Sequence, residues 1–190
     1  MVIYVIEHLE PELWEWCLIE YESISKIVGK ENLWFTNIKN EKDKEKLKKF
    51  GKISKESIRE LNLDNICILD PEAPELLTAE DTKQFKYLIF GGILGDFPPR
   101  KRTKEELTKF FPEAEQRNIG KEQFSTDNAV KVCHMIESGM KFQDIPLIKD
   151  AEIEINDIES FILPFTYISE NGKPFMSDKI IAYLKKKKSF

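Results

Sequence analysis

Soft metal ligands are scarce in this chain, which has two histidines and three cysteines in 190 residues. Cys17, Cys67 and Cys133 are far apart, odd in number and form no CxxC. They read as buried small hydrophobes of a reducing compartment, not as a disulfide frame. Cys133 and His134 are neighbours on an expected helix and point about 100° apart, so they share a metal poorly. A structural zinc site is excluded, and no metal is expected. Long apolar runs are missing too; none approaches the roughly 20 residues of a membrane-spanning helix. The start is apolar only to Ile6 and is followed at once by Glu7, His8 and Glu10, which excludes a signal peptide. The P-loop pattern GxxxxGK[ST] and the dinucleotide pattern GxGxxG are both absent. Net charge is -5, the wrong sign for a general nucleic-acid binder. The expectation is a cytoplasmic protein with no membrane or metal partner.

What is present is ample core material and a charged surface. Hydrophobic residues make up 41% and charged residues 33%, with thirteen Phe and three Trp, which suits a single domain over residues 1–190. Val2–Ile6, Leu33–Thr36, Ile66–Leu69 and Lys86–Phe90 read as buried strands, with Gln116–Ile119 a short fifth and Glu152–Ile155 a late edge strand. Helical spacing runs from Pro11 to Gly29, over 40–49, from Thr103 to Phe111, and over Asp127–Ser138 with Ser125 or Thr126 as cap. Continuous apolar strands alternating with helices predict an α/β fold, a mainly parallel sheet flanked by helices. Ligands of such sheets bind at the carboxyl ends of the strands. The segments to read are therefore Leu69-Asp70-Pro71, Phe90 to Arg100, and Ile119 to Asp127.

The second of these places Gly91, Gly92 and Gly95 within five residues and then stiffens its exit with Pro98 and Pro99. Glycines allow close backbone approach and prolines restrict the exit, so this is a shaped loop and not a flexible linker. A tight crossover without ligand would use the same residues. Basic residues cluster beside it at Arg100, Lys101, Arg102 and Lys104. The lysines of 42–49 read as a solvated helix face, and Lys185 to Lys188 as a frayed terminus.

Taken together these motifs resemble the SPOUT methyltransferases, whose cofactor lies in a C-terminal trefoil knot built from strand-end loops. Within that class the chain is similar to the branch formerly predicted to act on RNA, whose yeast member monomethylates an arginine of a small-subunit ribosomal protein. The likeness rests on Tyr4-Val5-Ile6-Glu7-His8, Leu69-Asp70-Pro71, the Phe90–Arg102 loop, Gly120, Gln123, Thr126-Asp127 and Leu163-Pro164-Phe165. The resemblance implies the knot and S-adenosyl-L-methionine as cofactor. It implies three walls for that cofactor: Leu69, Asp70 and Pro71; Gly91, Gly92, Ile93 and Gly95; Ile119, Gly120, Gln123, Phe124 and Thr126. It also implies a monomer or a knot-mediated homodimer.

Methyl transfer from a sulfonium needs alignment of nucleophile, methyl and sulfur, and no metal. An arginine acceptor has a pKa above about 12, so a carboxylate beside it would orient the guanidinium and take its proton. Glu7 and Asp96 are the catalytic candidates, and His8, Arg100 and Arg102 the substrate-binding ones. Glu7 and His8 could instead be polar strand ends, and Asp96 the cap of a turn. Asp127 reads as a first-turn helix acid. The partner is a ribosomal protein or, on the strength of the basic cluster, an RNA. A non-enzymatic assembly factor would need the same fold but not the intact glycine loops.

Overall fold

The computed structural model describes residues 2–154 and 160–187. Six strands form one parallel sheet: β1 (Ile3–His8), β2 (Leu33–Thr36), β3 (Lys52–Ile53), β4 (Ile66–Leu69), β5 (Tyr87–Gly92) and β6 (Glu115–Arg117). Their spatial order is β3-β2-β1-β5-β4-β6, with every neighbouring pair parallel. Side chains of a strand alternate between faces. Tyr4, Ile6, Leu33, Phe35, Cys67, Leu69, Leu88 and Phe90 therefore share one core, and Val5, Trp34, Ile68 and Ile89 another. Both faces are covered, which is why these strands are apolar throughout.

The first face packs on helices α1 (Glu15–Val28) and α5 (Thr126–Glu137). The second is covered by Ile58, by Leu107 at the end of α4 (Arg102–Glu106), and by flanking residues such as Leu61 and Phe111. Helices α2 (Glu41–Leu47) and α3 (Ala79–Gln84) are short; Thr78 and Asp81 form a capping box on α3. A three-stranded antiparallel sheet follows, of β7 (Leu147–Glu154), β8 (Ser160–Glu170) and β9 (Lys173–Pro174), and then α6 (Asp178–Lys187). The second sheet, α6 and Ile19 of α1 share a third core.

Several expectations need correcting. The first helix starts at Glu15, not Pro11, because Trp14 is still extended. Gly29 ends it with φ +83° and a bond from its N–H to the Ser25 carbonyl. The helix expected to Phe111 breaks at Leu107 and continues as a 3-10 turn, Thr108–Phe110. The fifth strand is Glu115–Arg117, earlier than the expected Gln116–Ile119. The late strand begins at Leu147; Ile155 lies outside the described residues. Lys185–Lys187 are the last turn of α6 rather than a frayed end, and Lys188 lies outside the described residues. No helix among the described residues is long and apolar enough to cross a membrane, and no cluster of potential metal ligands occurs among them.

Candidate active site

Strands β5, β4 and β6 are adjacent and parallel, so the loops that leave them emerge along one edge of the sheet. Between them lies a cavity of about 290 Å³. Leu69, Asp70 and Pro71 line it from the loop after β4. Gly91 at the end of β5, Ile93, Gly95, Asp96 and Arg100 of the loop after it and Arg102 at the start of α4 line it, as do Ile119, Gln123 and Phe124 of the loop after β6 and Thr126 at the start of α5. The three loops picked out from the sequence thus meet at one place. Much of the wall is apolar, with Phe90, Leu94 and Ala129 joining Leu69, Ile93, Ile119 and Phe124.

Local hydrogen bonds fix each loop. The Asp70 side chain accepts from the Glu72 N–H (2.9 Å) and the Thr108 hydroxyl (2.6 Å), closing a turn. It is 2% exposed, so it shapes the loop rather than offering a free carboxylate. Lys121 donates to the carbonyls of Pro71 (3.0 Å) and Ala73 (2.6 Å), and Asn118 Nδ2 to those of Ala73 and Glu75 (2.9 Å each). These bonds tie the third loop to the first. Gln123 Nε2 donates to the Asp96 carbonyl (3.2 Å) and so ties the third to the second. The Gln123 carbonyl in turn accepts from the Thr166 N–H of β8 (2.8 Å). Glu10 accepts from the Leu94 N–H (2.9 Å) and from Arg102 (2.8 Å). Sequence reading missed Glu10, Asn118 and Lys121, because nothing local marks a residue whose partners lie in distant loops.

The glycines divide into two kinds. Gly91 and Gly95 line the cavity, and a Cβ on Gly95 would lie 2.3 Å from the Phe165 ring and 2.7 Å from Gln123. Gly92 and Gly120 are not among the lining residues. A Cβ on Gly92 would meet the Tyr21 hydroxyl at 2.3 Å, and Gly120 turns with φ +98° against Phe142. Both were expected to hold cofactor; their positions fit close packing behind the loops instead.

Glu7 and His8 also lie elsewhere. Glu7 is fully buried and accepts from the Thr36 hydroxyl (2.5 Å), the Ser57 hydroxyl (2.5 Å) and the Ile58 N–H (3.1 Å). Its acceptor sites face donors on the far side of β1, so in this structure it turns no free acceptor toward the cavity, where a catalytic base was expected. His8 Nδ1 lies 2.8 Å from the Tyr21 hydroxyl, is 7% exposed and does not line the cavity. Burial lowers its pKa, which favours the neutral ring. The substrate-binding role expected of it finds no support in this position.

Three of the four basic residues beside the loop, Arg100, Lys101 and Arg102, are paired with carboxylates. Arg102 meets Glu106 (2.7 Å), Glu10 (2.8 Å) and the Leu94 carbonyl (3.1 Å), and the Glu106 bond holds it firmly charged. It clamps the glycine loop. Lys101 pairs with Glu72. Arg100 Nε donates to Asp96 Oδ2 at 2.9 Å, and that bond holds the Asp96 carboxyl below the usual carboxylate range. Asp96 therefore stands in the cavity lining as a charged group near neutral pH.

Comparison with known proteins identifies the family. The family described as protein arginine N-methyltransferase SFM1-like matches residues 3–189. The chain belongs to that family. It is 36% identical to protein arginine N-methyltransferase SFM1 of Saccharomyces cerevisiae over 96% of this chain and 94% of that one. A crystal structure of the yeast enzyme complexed with SAM superposes with a TM-score of 0.90 at 34% identity, covering 100% of this chain and 92% of that one. The dual-specific Trm10 of Thermococcus kodakaraensis has a TM-score of 0.59 at 16% identity, over 76% of this chain and 96% of that one. That second likeness concerns fold alone and places the chain among SPOUT-like folds. The SFM1-like chain is a methyltransferase, as its motifs implied.

Proposed function

We propose that this SFM1-like protein transfers a methyl group from S-adenosyl-L-methionine to an arginine of a protein, a small-subunit ribosomal protein being the favoured substrate. Family membership supports the donor and the arginine acceptor. The observation that carries the reading is a cavity with apolar walls and a charged carboxylate, Asp96, in its lining. Its volume lies near the lower end of ordinary ligand pockets. The cofactor fits on chemical grounds. Leu69, Ile119 and Phe124 offer apolar surface to a ring, and Gly91 and Gly95 expose main chain where side chains would intrude. When bound, it supplies an electrophilic methyl on a sulfonium sulfur.

The residues of the chain then do the rest. The three tied loops hold the reactants in line, an effect that alone is worth several kcal/mol (about 7 or more in favourable cases). Asp96 accepts hydrogen bonds from the acceptor guanidinium, fixes its plane, and takes its proton as the new C–N bond forms. The proton leaves to solvent, since the Asp96 side chain is partly exposed.

The RNA reading is the weaker one. Arg100, Lys101 and Arg102 each face a carboxylate, which leaves less free positive charge for phosphates. We propose further that the chain acts as one cytoplasmic domain, as a monomer or a knot-mediated homodimer. The contacts of the second and third loops with each other and with β8 support the knot implied by the resemblance. The test is incubation with labelled cofactor and either purified small-subunit ribosomal proteins or ribosomal and transfer RNA. Monomethylarginine in a protein, read by mass spectrometry, is the expected product. Label in RNA alone would overturn the proposal.

A further inference from the structure

The cavity lining contains four carboxylates, and they are not equivalent. Asp70 is closed off by Thr108 and the Glu72 N–H. Glu72 and Glu122 face the ammonium groups of Lys101 and Lys149. Asp96 alone of the four faces a guanidinium, that of Arg100, the chemical group of the acceptor itself. Both partners line the cavity. The contact is single, from Arg100 Nε to Oδ2 at 2.9 Å. The Arg100 side chain is 67% exposed, so it can swing away without leaving a core. The Asp96 backbone stays put meanwhile, because Gln123 holds its carbonyl.

We propose that Arg100 is an internal stand-in for the acceptor arginine. Its guanidinium occupies the Asp96 carboxylate until an incoming arginine displaces it, and the pair thereby sets acceptor affinity. The idea rests on the arginine-acceptor reading above. Exchange is cheap because an exposed ion pair is weak. It is favoured because an acceptor guanidinium can present two N–H groups to both carboxylate oxygens, a stronger arrangement than the single bond it replaces. Competition of this kind weakens acceptor binding by the fraction of time that Asp96 is taken, about two- to fivefold for a pair of this exposure. Arg100 is thus a positioning residue, and it favours acceptors that grip the carboxylate with both nitrogens.

The experiment uses the full chain saturated with S-adenosylhomocysteine and titrated with N-ethylguanidinium, followed by NMR at the Gly95 amide. Arg100→Gln should bind the probe about two- to fivefold tighter than the parent. Asp96→Asn should lose the saturable response, and adding Arg100→Gln to it should restore nothing. In the methylation assay the Arg100→Gln effect should lie in KM rather than kcat. Equal or weaker binding by Arg100→Gln overturns the proposal. So does an equal gain for N-ethylammonium, which has the charge but not the fork. Failure of the parent chain to bind S-adenosylhomocysteine would instead count against the methyltransferase reading, and the probe titration without that ligand would still decide the role of Arg100.

Discussion

Glu7 and Asp96 make an instructive pair. Strands β1 and β5 lie side by side, Glu7 is in register with Gly91, and Asp96 follows on the loop just beyond. Both carboxylates therefore sit at carboxyl ends of neighbouring parallel strands, where chemistry is expected. Glu7 is ringed by Thr36, Ser57 and Ile58 as donors and is fully buried. Asp96 has one exposed, exchangeable partner. A strand-end address does not make a catalytic acid. The role proposed for Asp96 rests instead on acceptor capacity left open toward a cavity. The region around Glu7 is consequently a stability element, and the loop around Asp96 is the place to look for function.

The largest effect should come from breaking the locked region. Gly92→Trp drives a side chain into the Tyr21 hydroxyl, Ile6 and the Glu7 carbonyl, with an ideal Cβ 2.3, 3.0 and 3.1 Å from them. We expect loss of more than about 4 kcal/mol, seen as a collapsed urea midpoint, rather than a folded protein with a blocked pocket. Glu7→Ala follows. It removes the acceptor of the buried Ser57 hydroxyl and of the Ile58 N–H and leaves the Thr36 hydroxyl only its long bond to the Ile6 carbonyl (3.4 Å), and should cost about 3 kcal/mol by the same measurement. If the folded Glu7→Ala protein instead loses methyl transfer at unchanged stability, the contrast with Asp96 collapses.

A second buried pair sharpens the comparison. Glu20 and Asp127 lie between α1 and α5, and burial, followed for Glu20 by the Asp127 charge, raises both carboxyls above their usual range. Trp16 Nε1 donates to Glu20 (2.8 Å) and the Ser125 hydroxyl to Asp127 (2.8 Å). A raised carboxyl keeps its proton in the folded state after the unfolded state has lost it. Stability should therefore be greatest below the usual carboxylate range and fall as pH rises above it, by about 1.4 kcal/mol per unit while one extra proton is held. Glu20→Gln should flatten that slope in thermal melts taken across pH; an unchanged slope would assign it to another group.

Ala129→Phe tests the open region directly. Ala129 lines the cavity from the first turns of α5, and the added ring should fill part of it. S-adenosylhomocysteine affinity should drop at least about tenfold by calorimetry, equivalent to about 1.4 kcal/mol, in a protein that still folds. Unchanged affinity would move the cofactor out of this cavity.

How much of this could be read beforehand depended on the range of the interactions. Strands β2 and β4 matched their apolar runs end to end, because burial on both faces needs no knowledge of the partners. β8 went unread. Pro164 argues against a strand, yet it falls where the β7–β8 register shifts between Lys149 and Ala151, so no regular ladder bond is lost. The three cavity loops were legible from glycine, proline and strand-end position. The surroundings of Glu7 were illegible for another reason. Its donors come from residues 29 and 50 positions away, and no local pattern announces them.

The smallest effect should come from Lys101→Ala. Lys101 lines the cavity and would be a natural phosphate contact if the acceptor were RNA. Its ammonium instead meets the Glu72 carboxylate, and that bond raises its pKa. The side chain is 63% exposed and no buried group depends on it, so thermal stability should barely move. Methylation of a protein acceptor should also stay within about twofold, because the carboxylate proposed to bind the guanidinium is Asp96 and not Glu72. A steep loss, growing as salt is lowered, would mean that the lysine leaves Glu72 for a polyanion during turnover. That outcome would return the basic cluster to the substrate side of the comparison and reopen the RNA acceptor.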